Sequence, residues 1–260
     1  IAHSLPELND EGFRGPPWPA EKPRRAGRVL LVGDETVAGF GVDDRRLRVG
    51  ERLGAALGAD VEILSAGRPG WGTADQLAWI ARRGSSLHAD RIVLLRSLDD
   101  DRDLGATAPP ATVAEDARPR WLNPAASFLL DAVWAATRPE QRVWSRDAVT
   151  AGAVDGIGPV RLARLRDLAA RCLDAAPRLD VVLVPWLDPD VAERDELTRQ
   201  AVREWTAVGV RTVVDASPRY DGREAELRVG AAAPWPGAEG HAVLAELLLG
   251  RLFNRAPGSR

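Results

Sequence analysis

Short apolar runs alternate along this chain with segments whose apolar positions recur every three or four residues. The runs RVLLVG (28–33), VEILSAG (61–67), RIVLLR (91–96), DVVLVPW (180–186) and RTVVD (211–215) predict five strands. Between them, DRRLRVGERLGAAL (44–57), TADQLAWIARRG (73–84), PAASFLLDAVWAAT (124–137), VRLARLRDLAARCLDAA (160–176), VAERDELTRQAVREWTAV (191–208) and GHAVLAELLLGRLF (240–253) have helical spacing. Thr73 and Gln76 stand where a capping box would open the second of these helices. Residues 216–238 read as loop. Apolar strands alternating with amphipathic helices predict a parallel sheet covered on both faces, one three-layer α/β domain. We expect an N-terminal arm over 1–26, the domain over 27–255 and a tail over 256–260.

Such sheets gather functional residues beyond the carboxyl ends of their strands, near the point where strand order reverses. Those ends are Gly33-Asp34-Glu35, Ser65-Ala66-Gly67, Arg96 to Asp101, Pro185-Trp186 and Asp215. The question is what chemistry they carry.

Composition narrows the classes. The chain has 260 residues, enough for one sizeable core. A net charge of −3 and a pI near 5.8 leave no basic footprint, so no nucleic-acid partner is expected. Lys22 is the only lysine among many arginines, which fits a GC-rich genome as well as any function. The single cysteine, Cys172, lies in a helical pattern and reads as a small packed residue; it excludes an internal disulfide. No run approaches the roughly 18 apolar residues of a membrane span. The chain starts at Ile1 and contains no Met, which reads as a processed or trimmed start whose preceding segment, an anchor or a signal, is not visible. No His pair at ligand spacing and no Cys cluster is present, so no metal and no cofactor is expected.

Four blocks in order, LNDEGFRGPP, VLLVGDETVAGFGVDD, VEILSAGRPGWGTADQLAWI and PWPGAEGHAVLAELL, resemble the SGNH hydrolases, also called GDSL esterases and lipases. The resemblance covers nearly the whole chain. It implies a flavodoxin-like three-layer sandwich with a five-stranded parallel sheet. It also implies hydrolysis or transfer of acyl esters by a Ser nucleophile. In that family a Gly N–H and an Asn side chain join the Ser N–H as the oxyanion hole, and an Asp and a His near the C-terminus activate the Ser. A hydroxyl nucleophile needs such a base and such donors.

At the positions that carry this chemistry the sequence departs from the family. Glu35 stands at the Ser position. Gly67 keeps the Gly. Asp99 falls on the Asn, with Asp100 one register away. Ala232 and Trp235 fall on the Asp and the His. Neither can orient or accept a proton, and an ionised Asp99 offers acceptors where an oxyanion needs donors. His241 reads as a histidine opening the last helix and bonded locally. Thr36 should point elsewhere on the turn, Ser97 has no visible base, and His3 and His88 read as surface residues.

The expected function is therefore a catalytically inactive hydrolase-like domain. It would serve as a binding or structural subunit of a larger, membrane-associated assembly through a protein partner. Arg68 and Arg96 are candidates to pair with Glu35 and Asp99 and plug the old pocket. Two alternatives stay open: a rebuilt carboxylate site in which Glu35 and Asp99 act as acid and base on a glycosidic or other acid-labile bond, and a divergent esterase. The DDDRD run also reads as a solvated loop capping a helix. Among nine Trp, Trp18, Trp121, Trp144 and Trp205 fall in or near irregular or helical surface segments, and Trp71, Trp186 and Trp235 near the strand-end edge. Trp18, Trp121 and Trp144 are the interface candidates. By resemblance, the GFRG arm places the domain in the periplasm or at the cell surface.

Overall fold

The five predicted strands all form. A computed structural model describes residues 8–24, 26–97, 100, 104, 159–187, 194–230 and 233–254. The strands are β1 (Gly27–Gly33), β2 (Val61–Gly67), β3 (Arg91–Ser97), β4 (Leu179–Val184) and β5 (Thr212–Asp215). They pair in parallel in the order β2-β1-β3-β4-β5, the flavodoxin-like winding. Among the described residues the helices are α1 (Glu35–Ala38), α2 (Val49–Leu57), α3 (Thr73–Arg83), α4 (Pro159–Ala175), α5 (Arg194–Ala207), α6 (Glu224–Leu227) and α7 (Ala238–Leu252).

Strand periodicity divides the core in two. Leu30 and Val32 of β1 face a cluster with Leu77 and Ile80 of α3, Leu165 and Cys172 of α4, and Trp205 of α5. Val29 and Leu31 face the other side, with Leu53 and Leu57 of α2 and Leu244 and Leu248 of α7. Both faces of each central strand are apolar because both are covered, which is why the runs read as continuous rather than alternating. Cys172 is a free, buried thiol that donates to Leu77 O at 3.4 Å, and burial pushes its pKa up.

Several local expectations are corrected. The segment 44–57 is not one helix. A 3-10 turn, Arg45–Leu47, ends at an extended Arg48, and α2 starts after it. Thr73 and Gln76 form no capping box. Gly72 is the N-cap without a side-chain bond, and Gln76 turns inward to donate to Trp71 O. The 216–238 loop carries structure: a 3-10 turn at Ser217–Arg219, α6, and an antiparallel hairpin of β6 (Arg228–Gly230) and β7 (Ala233–Pro236). Trp205 is not near a surface but fully buried, because α5 turns that side toward the sheet. The segment 124–137, with Trp121 and Trp144, lies outside the described residues.

The arm is tied down along its described length. Asn9 Oδ1 accepts from Glu11 N and Phe13 N, closing a tight turn. Phe13 stacks on Trp18 and meets Trp71 and Trp79 edge-on, with ring centroids 5.1–5.6 Å apart. At its other end the arm meets Arg28, whose Nη2 donates to Pro19 O and Glu21 O.

Candidate functional site at the carboxyl end of β1

β1 has β2 on one side and β3 on the other, so strand order reverses there and a crevice opens beyond its last residue. Asp34 and Glu35 occupy that point. Two glycines let α1 sit directly on the strand ends. A Cβ at Gly67 would lie 2.1 Å from Ala38 N, and one at Gly33 would lie 2.6 Å from Val37 Cγ2. Gly67, retained from the family pattern, is thus required for packing. Asp34 caps α1, its Oδ1 accepting from Thr36 N at 2.9 Å.

The carboxyls are buried: Asp34 is 2% exposed, Glu35 4% and Asp100 5%. The Ser97 hydroxyl and the Glu35 side chain lie beside Asp34 and favour its charged form. Burial raises Asp34 above the ordinary carboxylate range, outweighing the hydrogen bonds that pull it down. Glu35 Oε1 accepts from Gly70 N at 3.0 Å, which brings the loop after β2 onto the site. Asp100 Oδ2 accepts from Ser97 N at 2.9 Å and from Gln76 Nε2 at 3.1 Å. The structure thus assembles Asp34, Glu35, Ser97, Asp100 and Gln76. Asp99 and Ala232 lie outside the described residues. Asp34, Ser97 and Gln76 are partners that sequence reasoning did not assign to Glu35 and Asp100. Gln76 had a usable signal, a buried-face position on a helix facing the end of β3.

Trp235 lies on β7, half-buried, and packs edge-on against the exposed Phe40 at a centroid distance of 5.3 Å. His241 is fully buried. Its Nδ1 accepts from Val49 N at 3.1 Å, giving α2 the N-terminal acceptor that Arg48 lacks. Burial, then Arg52 and Arg48, push its pKa down to about 4, so it is neutral. The bond is not local, as expected of a helix-opening histidine, but reaches from the first turn of α7 to the start of α2. Among the described residues no group of three or more His, Cys, Asp or Glu is placed to hold a metal ion.

No protein-family model and no curated protein matches this sequence. Solved structures do match. A variant of Axe2, an acetyl-xylooligosaccharide esterase from Geobacillus stearothermophilus, is 13% identical over 92% of this chain and 100% of its own, with a TM-score of 0.54. TesA is 14% identical over 87% and 98%, with a TM-score of 0.54. A lipolytic G-D-S-L family protein from Veillonella parvula is 13% identical over 88% and 100%, with a TM-score of 0.50. The chain has the SGNH hydrolase fold. What these proteins share at such identities is the sheet order and its helical layers. In this chain the turn after β1 holds Glu35, whose carboxyl is buried.

Proposed function

We propose that this chain is an SGNH hydrolase-like domain that does not hydrolyse esters and works as a binding or structural subunit. One observation carries the reading. Glu35, at the nucleophile position, is buried beside Asp34 and takes the Gly70 N–H at 3.0 Å. A backbone donor in the loop after β2 is then satisfied by the protein's own carboxylate, and an acyl oxyanion arriving there would meet negative charge instead of donors. Trp235 at the base position packs on Phe40 and supplies no proton acceptor. Assay of the purified chain on short-chain aryl esters tests this. The expected result is no turnover above a Glu35→Ala control; clear turnover sinks the reading. Glu35→Ser alone is also expected to stay inactive, because Trp235 stands at the base position and Ala232 at that of its orienter.

The partner is proposed to be a protein in a membrane-associated assembly outside the cytoplasm. Support comes from the GFRG arm and from Trp121 and Trp144. Trp18 is packed on Phe13 and Trp79, so its truncation would also disturb the arm. Trp121→Ala with Trp144→Ala is the cleaner test: a copurifying chain should be released with Tm nearly unchanged. Elution of the native protein as a lone monomer overturns the scaffold. A second reading, hydrolysis of a glycosidic bond by paired carboxyls, is favoured by the two buried carboxyls of Asp34 and Glu35, with Asp34 raised by burial. Turnover of aryl glycosides that is lost in Glu35→Gln would establish it.

A further inference from the structure

Arg14 and Arg48 converge on one glycine. Arg14 Nη1 donates to Gly39 O at 2.8 Å. The Arg48 stem lies across the same residue, so a Cβ there would be 2.4 Å from Arg48 Cδ, and Gly39 itself holds φ +64°. Arg48 Nε donates to Val42 O at 3.2 Å and Nη2 to Asp43 O at 3.4 Å. Every acceptor these two side chains meet is a neutral carbonyl. Among the described residues neither forms an ion pair with a carboxylate, whereas Arg28 and Arg91, the other buried guanidiniums with described contacts, each have one. Arg14 Nε is buried without a hydrogen-bond partner.

Such a pair is expensive to leave alone. A buried charge needs a counter-charge, and two like charges side by side need it more. Burial draws Arg14 below its ordinary value. Arg48 is drawn down to about 10, first by burial and then by the charge of Arg14. The Asp43 carboxylate opposes this for both from an exposed position, without a side-chain hydrogen bond to either, and Glu51 does so for Arg48. Arg14 remains partly open to solvent, so an ion can reach the pair.

We propose that Arg14 and Arg48 form a binding site at the Gly39 turn for a tetrahedral oxyanion, the phosphate or sulfate group of a ligand. A guanidinium is a rigid fork of donors, and two forks from separate segments approach from different directions. A carboxylate offers two oxygens in one plane. A phosphate or sulfate offers three or more around a tetrahedron, so it can meet two forks that come from separate segments. The site is distinct from the Asp34–Glu35 pair, so ester turnover and anion binding succeed or fail separately.

The test is calorimetric titration of the full chain with inorganic phosphate, with sulfate and with acetate, at constant ionic strength set by sodium chloride. Saturable binding of phosphate or sulfate is expected, weakened at least tenfold in Arg14→Gln and in Arg48→Gln, and the tighter of the two ions names the source. Asp43→Asn probes the same site without touching either guanidinium, and it should bind severalfold more tightly. Arg14→Lys keeps the charge and loses the fork, so it should bind more weakly than wild type. No saturable binding, or affinity unchanged in Arg14→Gln and Asp43→Asn, overturns the proposal. Acetate binding as tight as phosphate overturns the tetrahedral assignment.

Discussion

At the amino ends of its strands the sheet buries two guanidiniums, and each meets a carboxylate. Arg28 Nε lies 2.5 Å from Glu62 Oε2, with further bonds to Leu87 O, Pro19 O and Glu21 O. Arg91 Nε lies 2.6 Å from Asp180 Oδ2, with Leu252 O at 2.6 Å and the Phe253 ring 5.0 Å away. At the carboxyl ends the contacts described for the buried charges run to neutral donors and carbonyls. Asp34, Glu35 and Asp100 collect over β1 and β3, and Arg14 and Arg48 collect at Gly39. Burial there raises Asp34 and lowers Arg14 and Arg48. Groups shifted in this way are characteristic of sites that bind or react.

Removing one partner at the amino end should give the largest effect. Asp180 is fully buried and accepts from both Arg91 and Arg178. Asp180→Ala leaves the Arg91 guanidinium buried without its counter-charge, which costs about 3–5 kcal/mol. Urea unfolding should show the midpoint falling accordingly. A loss below about 1 kcal/mol would mean the buried pair contributes no more than an exposed one.

His241 comes next and belongs to the carboxyl-end cluster through Arg48 and Arg52. The unfolded chain takes up its proton near the ordinary 6.5, and the folded one only near 4. Between those values the unfolded state holds more protons, so stability falls as pH falls through the window, by up to about 3 kcal/mol. His241→Asn keeps an acceptor for Val49 N and does not titrate there. Urea midpoints from pH 7 to 4 should therefore slope less in this variant than in wild type. Parallel slopes would remove His241 from the account.

How much of this was legible depends on how far the evidence lay from each residue. The strands were readable because covered faces leave uninterrupted apolar runs. The break before α2 was not, because Arg48 has good helical propensity; its extended backbone follows the demand of its side chain for Val42 O and Asp43 O. The β6–β7 hairpin was too short to show a period. Glu35 was readable from its place after a strand and a Gly-Asp pair. Its contacts were not, because Gly70 and Ser97 reach it or its neighbour Asp34 through the pairing register of β1 with β2 and β3. The Arg14–Arg48 pair joins the arm to the domain, and no local pattern announces it.

The smallest expected effect is the sharpest test of the contrast. Asp34→Asn keeps an oxygen to accept from Thr36 N, and its amide can still bond Ser97 or Glu35. Asp34 has a folded pKa raised above its ordinary 3.8 by burial. Its folded form therefore holds a proton that the unfolded chain has already released, and stability is lost as pH rises through the folded value. Asparagine carries no charge to bury. At pH 7 the variant should lie within about 1 kcal/mol of wild type and need not be weaker, since the bonds persist and a desolvation penalty is gone. Between pH 4 and 7 its unfolding midpoint should gain on wild type as pH rises. A loss comparable to Asp180→Ala would show that ionised Asp34 anchors the strand end as Asp180 does. The contrast between ion-paired Asp180 and buried, protonated Asp34 would then fail.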